Sequence, residues 1–262
     1  MKAMHSKKEL KENLISLGIA GGDCVLIHSS FKSLGGIEGG AGGFFEVMLD
    51  VLGADGTLVM PTLSYDILDK PGEVRFDVRK TPSCVGWLTE YFRTELKDVR
   101  RSLHATHSCA ATGKYADALI EKHLLDDTPV GTNSPFMKMT ELGGKILILG
   151  SHPDHNTLMH GVEETVDFKP FIDFESRTDY HITDDNGRET VVPSFRHRFE
   201  RENGWYEQKY SRILPLLDGN EIREGMILDA HSYLLRSEAI LKKGHDKLLK
   251  DPYFFVEWMQ TD

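Results

Sequence analysis

The chain has 262 residues, 40% of them hydrophobic and 27% charged, with a formal net charge of −10. That balance suits a globular protein with one large core and argues against a general nucleic-acid binder, because phosphate contacts need clustered Lys and Arg. No apolar run approaches the roughly 20 residues that span a bilayer, so no membrane association is expected.

The opening MKAMHSKKELKENL has no apolar signal core. Ser6 and Glu9 form an S-x-x-E capping box ahead of Leu10, Leu14, Ile15 and Leu17, which recur at helical spacing. The run Cys24-Val25-Leu26-Ile27 reads as a buried strand. A glycine-rich loop follows, and then Phe44, Phe45, Met48 and Leu52 share one helical face. Thr57 to Met60 reads as a second strand, stopped by Pro61. Trp87, Leu88, Tyr91 and Phe92 indicate another helix, and Tyr115 to His123 a further one. Ile146-Leu147-Ile148-Leu149 is the clearest buried strand, closed by Gly150.

Strands apolar throughout, alternating with helices, predict an α/β fold: a mainly parallel central sheet flanked by helices over residues 1–165. Residues 166–262 predict a smaller, partly antiparallel layer on the same core, so that 1–262 is one domain. There, Tyr180 to Thr183 and Glu189 to Val192 flank Asn186-Gly187, a hairpin turn signal. A charged, aromatic stretch, RHRFERENGWYEQKY, leads to a predicted helix around Ser232 to Leu241. Cys24, Cys84 and Cys109 follow no pairing pattern, so reduced thiols and a cytoplasmic setting are expected.

Two segments carry candidate chemistry. The first is the loop HSSFKSLGGIEGGAGG, with glycines at 35, 36, 39, 40, 42 and 43 between a strand and a helix. Glycines let backbone N–H groups approach an anion, and a helix N-terminus adds a favourable dipole. Ser29, Ser30 and Ser33 add hydroxyls and Lys32 a charge, although the spacing is neither a dinucleotide fingerprint nor a P-loop. The second segment runs from Gly150 to Glu164. Thr157 is placed to cap a helix carrying His160 and Glu163, which three residues apart share a face. A carboxylate there can orient an imidazole acting as general base. His152, His155, His160 and Glu163 are also potential metal ligands, and a solvated polar loop is the third reading.

Six segments in order resemble the aminoglycoside 3-N-acetyltransferase family over about residues 8–165: VLIHSSFKSLGGIEGGA, GTLVMPT, TPSCVGWLTEYFR, RSLHATHSCAATG, GTNSPFMKM and GKILILGSHPDHNTLMHGVEE. The resemblance implies an N-acetyltransferase that takes its acetyl group from acetyl-coenzyme A, with no metal, and a small-molecule amine as acceptor. It implies that Ser30, Phe31, Lys32, Ser33, Leu34, Gly35 and Gly36 wrap coenzyme A, and that Arg101, Ser102 and Ser108 help form its tunnel. The pattern N-T-x-x-H-x-x-E, met by Asn156, Thr157, His160 and Glu163, implies that His160 is the catalytic histidine. Gly36, where a bulky aromatic is frequent, and His104-Ala105, where His-Pro is frequent, depart from the family. The developing oxyanion falls to loop N–H groups or the Ser108 hydroxyl, and Glu164 and Asp167 are candidate contacts for a cationic substrate. A monomer or homodimer is expected. The rival readings are a metal-dependent hydrolase on the histidine cluster and a silent relative that binds coenzyme A without turnover.

Overall fold

The structure is a computed structural model that describes residues 4–70 and 72–261. The helices are α1 (Lys7–Leu17), α2 (Gly40–Leu52), α3 (Trp87–Glu95), α4 (Ala116–Ile120), α5 (Pro135–Glu141), α6 (Leu158–Glu164) and α7 (Ser237–Leu248). The strands are β1 (Cys24–Ser29), β2 (Thr57–Pro61), β3 (Val74–Asp77), β4 (Arg100–Arg101), β5 (Cys109–Gly113), β6 (Lys145–Leu149), β7 (Ile172–Thr183) and β8 (Glu189–His197). They continue with β9 (Glu200–Arg201), β10 (Gly204–Gln208), β11 (Ile222–Ile227), β12 (Ala230–Arg236) and β13 (Val256–Gln260). Among the described residues no helix is long and apolar enough to cross a membrane.

Helix α1 starts where the Ser6 hydroxyl accepts a hydrogen bond from Glu9 N at 3.1 Å and ends at Gly18, whose φ is 110°. Its buried Leu10, Leu14 and Leu17 join Phe44, Phe45, Leu88 and Phe92 of α2 and α3 on one face of the main sheet. Leu119, Phe136, Leu158 and Ile240 of α4 to α7 cover the other face. Strand β1 feeds both layers, Leu26 on one side and Val25 and Ile27 on the other. A strand buried on both faces has no polar side, so it reads as an unbroken apolar run.

The main sheet has the order β11-β12-β6-β1-β2-β5-β4. The expected α/β class is present, with its parallel part confined to the centre: β1 runs parallel to β2 and β6. Strands β5 and β4 on one side and β12 and β11 on the other add antiparallel pairs. Only two residues, Leu228 and Asp229, separate β11 from β12, and so short a link can join antiparallel strands alone. The helix expected at Ser232–Leu241 therefore begins later. Residues 230–236 form β12, with Ala230, Ser232 and Leu234 buried at alternate positions, and α7 takes over at Ser237. Residue 165 marks no break in the sheet, because β11 and β12 complete it from the C-terminal side.

The rest of the C-terminal part builds two three-stranded sheets, β3-β7-β8, which takes β3 from the N-terminal half, and β13-β10-β9. The expected hairpin is β7–β8, with Gly187 N donating to Asp184 O across the turn.

Gly150, just past β6, has φ +62° and no room for a side chain: a Cβ would sit 1.9 Å from Ser33 Oγ and 2.9 Å from Ala230 Cβ. Gly150→Ala is expected to cost about 2–4 kcal/mol through the left-handed backbone and the overlap. A chemical denaturation midpoint unchanged from the parent chain would contradict this packing.

Candidate functional site

The three parallel strands end at one edge of the sheet, and the segments leaving them converge there. His28 and Ser29 close β1, Pro61 closes β2, and Ser151 follows β6. All four line a cavity of about 680 Å³. Strand β5 runs the other way and starts at this edge, Cys109 opposite Pro61, so Thr106 and His107 just before it also face the cavity. Helix α6 delivers His160 from below. The end of β8 brings Arg196 and His197, and Tyr210 begins the turn after β10.

Helix α6 is started by Asn156, whose Oδ1 accepts from Leu158 N at 3.2 Å. Thr157 occupies the cap position with no side-chain cap bond, so the expected threonine cap is replaced by its neighbour. Thr157 N instead donates to His28 Nε2 at 3.3 Å, tying the helix to β1. His160 and Glu163 share a face as expected, with Nδ1 and Oε2 3.5 Å apart. Between them stands the buried hydroxyl of Tyr210, 2.9 Å from His160 Nδ1 and donating to Glu163 Oε2 at 2.9 Å. A hydroxyl that donates to the carboxylate accepts from the ring, so the network places the proton on Nδ1 and leaves the Nε2 lone pair free. Burial, helped by the Glu163 charge, holds the Tyr210 phenol well above its usual range, so it stays protonated in this role.

His160 stacks on His197 with ring centroids 4.3 Å apart, and His107 meets both edge-on at 5.7 and 5.0 Å. Burial holds His107 and His197 well below the usual imidazole range. It also lowers His28 to about 3 and His104 to about 4, and His123 well below its usual value.

The glycine-rich loop meets the cavity only at its start. Residues Phe31–Leu34 form a short 3₁₀ turn, and Ser33 lines a second cavity of about 470 Å³ that shares Ser151 with the first. Phe31 packs on Phe44 and Trp87, and Lys32 is exposed. Gly35 has φ +84° and its Cβ position is taken by Asp229. Gly36 O accepts from His5 N, and Glu38 N donates to His5 O. The Gly43 Cβ position lies 2.0 Å from Glu38 O, so this glycine serves close packing at the start of α2. The later glycines thus bind the loop to its own chain.

Other expected site residues also turn away from the cavity. Arg101 is buried, with its guanidinium donating to Thr62 O at 2.7 Å, Thr81 O at 2.5 Å and Ser108 Oγ at 2.9 Å. Ser108 Oγ donates to Thr62 O at 2.8 Å, so it does not reach an oxyanion in the cavity. Ser102 Oγ pairs with His123 Nδ1 and accepts from Cys109 N. Glu164 accepts from Val130 N at 2.8 Å and from the Thr128 hydroxyl, and Asp167 is exposed outside the cavity. The acidic residues that do line the cavity are Asp154 and Glu200. Cys109 is fully buried with its thiol pushed up by burial, and none of the three cysteines lines the cavity. His152, His155, His160 and Glu163 are not gathered at one point. Among the described residues the three side chains close enough to share an ion are His107, His160 and His197. Sequence spacing could not find His107, His197 or Tyr210, which reach the site from distant segments.

The sequence model of the aminoglycoside 3-N-acetyltransferase family matches residues 26–248. Aminoglycoside N(3)-acetyltransferase IV from Salmonella sp is 30% identical over 258 residues, which cover 95% of this chain and 90% of that protein. The crystal structure of a mutant aminoglycoside acetyltransferase AAC(3)-IVa in complex with apramycin superposes with a TM-score of 0.76 at 28% identity, covering 96% of this chain and 95% of that one. The fold also matches AAC-IIIb in binary complex with CoASH, with a TM-score of 0.77 at 24% identity over 95% and 97% of the two chains.

The buried imidazoles set a pH limit on the fold. His28, His104 and His123 stay neutral when folded but take up protons in the unfolded chain below about pH 6.5. Their stabilisation is full above that pH and falls as pH drops, by about 1.4 kcal/mol per pH unit for each such group. Glu164 works the other way: burial raises its carboxyl to about 7, so its contribution grows as pH falls below 7. The lowered imidazoles outnumber it, and the melting temperature should drop steeply between pH 6.5 and 5. Calorimetry showing a flat or rising melting temperature across that window would contradict neutral burial of these rings.

Proposed function

Because the chain belongs to the aminoglycoside 3-N-acetyltransferase family, we propose that it transfers an acetyl group from acetyl-coenzyme A to an amine of an aminoglycoside or related amino sugar, with His160 as general base. Acetyl-coenzyme A is the family's co-substrate. The observation that carries the reading is the His160–Tyr210–Glu163 unit on the wall of a cavity at the carboxyl edge of the sheet.

The bound co-substrate supplies an activated thioester carbonyl that an unprotonated amine can attack. The residues here fit it in two respects. The two cavities lie side by side and share Ser151 in their walls, and Ser29 borders the first and Ser33 the second. Leu63, Leu68 and Val85 make part of the wall apolar, which suits an acyl chain and limits water.

His160 Nε2 would take the proton that a neutral-pH amine carries, with Tyr210 keeping the ring in the tautomer that leaves Nε2 available. As the C–N bond forms the C–S bond breaks, and the coenzyme A thiolate leaves with the proton that His160 holds. Glu163 lies 3.5 Å from Nδ1 and stabilises the imidazolium that forms. Asp154 and Glu200 replace Glu164 and Asp167 as the acidic contacts for a cationic substrate. Asp154 Oδ1 is fixed by Ser211 N at 2.6 Å. Direct transfer is favoured over an acyl-enzyme, because Cys109 is sealed in the core. The chain acts as a single domain, since both halves contribute to one sheet and one site. Its free cysteines support a cytoplasmic setting.

Coenzyme A should raise the melting temperature, since a ligand of the folded state stabilises it by mass action. No shift at millimolar coenzyme A, with folded protein, sinks the co-substrate assignment. His160→Ala should lower turnover by about 10²- to 10⁴-fold with little change in coenzyme A affinity. Tyr210→Phe should lower kcat by about 10-fold or more and shift the pH–rate profile, while KM for acetyl-coenzyme A stays. Near-normal turnover in His160→Ala would remove the base from this residue. Chelators should leave transfer intact, and a loss of activity restored by zinc would instead support the metal-dependent reading.

A further inference from the structure

His107, His160 and His197 come from the loop before β5, from α6 and from the end of β8, yet one ring nitrogen of each lies within 4.8 Å of the other two. All three line the same cavity. His107 Nδ1 is engaged by Thr106 Oγ1 at 2.9 Å, and His160 Nδ1 by Tyr210. In both rings Nε2 carries no hydrogen bond among the described residues. His197 Nε2 stands 3.9 Å from the Glu164 carboxylate, beyond hydrogen-bond range.

We propose that these three imidazoles form an inhibitory site for a borderline-soft divalent cation, zinc above all. Three protein nitrogens with a fourth direction open to a cavity are the donor set of an open zinc site. Imidazole suits zinc, copper and nickel, whereas magnesium and calcium prefer oxygen. Zinc holds histidine nitrogens at about 2.0–2.1 Å, so the three rings must close by roughly an ångström. Outer partners that orient such ligands are already in place, Thr106 on His107 and the Tyr210–Glu163 pair on His160. The ion coordinates the free lone pair of His160 and so removes the base. That inhibitory arm rests on the proposed role of His160; the binding arm does not.

The test uses the full-length protein, stripped with chelator and titrated with zinc chloride in calorimetry without acetyl-coenzyme A. One zinc per chain is expected, and cobalt(II) in its place should give the intense visible bands of a four-coordinate site. His197→Gln should weaken zinc binding on the order of 10-fold or more, while His152→Ala, exposed and outside the cluster, should leave it unchanged. Zinc should inhibit transfer reversibly, with chelator restoring the rate. Absence of stoichiometric binding, or a six-coordinate cobalt spectrum, overturns the site and leaves the transfer reading standing. The cobalt spectrum of the unsubstituted protein decides the point even if a variant fails to fold. Zinc bound at the cluster that leaves the rate untouched overturns the inhibitory assignment and, with it, His160 as the base.

Discussion

Parallel strands cannot be joined by tight turns, so each crossover must carry the chain back along the sheet before the next strand begins. Strands β6, β1 and β2 obey this rule, and their carboxyl ends therefore lie along one edge. The cavity at that edge follows from it: His28 and Ser29, Pro61 and Ser151 meet because their strands point the same way. The antiparallel neighbours then fill the same edge from the opposite direction. β5 contributes the residues that precede it, and β12 places Ala230 beside the second cavity.

The edge is an expensive place for polar side chains, because His28, His104 and His107 are buried there and lose hydration. Burial holds most of the cavity's histidines neutral, and their remaining polarity is used in short local contacts such as Thr106 on His107. His160 is treated differently. Its Nδ1 is tied through a phenol to a buried carboxylate, one of whose oxygens, Glu163 Oε1, has no hydrogen-bond partner among the described residues. A buried carboxylate with a free oxygen is costly unless positive charge develops nearby. The arrangement suits a ring that gains a proton, and it ties the C-terminal third of the chain, through Tyr210, to the proposed base.

How much of this was legible in the sequence depends on how local each feature is. Cys24–Ile27 and Ile146–Leu149 announced themselves because strands covered on both faces have no polar side. Strand β5 was hidden by its small residues, since Cys109-Ala110-Ala111-Thr112 carries little β signal. Residues 232–241 read as one helix because Leu234, Leu235, Ile240 and Leu241 fit helical spacing as well as a strand followed by a helix. At the site, His160 and Glu163 lie three residues apart and could be paired from sequence. Tyr210, fifty positions on, could not. Arg101 misleads for a physical reason: a charged side chain suggests a ligand, yet this one satisfies three backbone carbonyls and stacks on Phe76.

One property underlies both the catalytic and the inhibitory readings of His160. A base must present an unprotonated nitrogen with no protein partner, at a point that substrate can reach and water mostly cannot. A metal ligand must present the same thing. The surrounding rings decide which role dominates. A lone imidazole beside Tyr210 and Glu163 would be a base and a poor ligand, since one nitrogen holds zinc weakly. His107 and His197 change that balance by supplying two more lone pairs at the same place. Their burial keeps them unprotonated, which favours His160 as a base by leaving no neighbouring cation to oppose its imidazolium. The same unprotonated state makes the trio a ligand set. If the cavity takes a proton from an amine as proposed, the same chemistry opens it to capture by a borderline-soft cation.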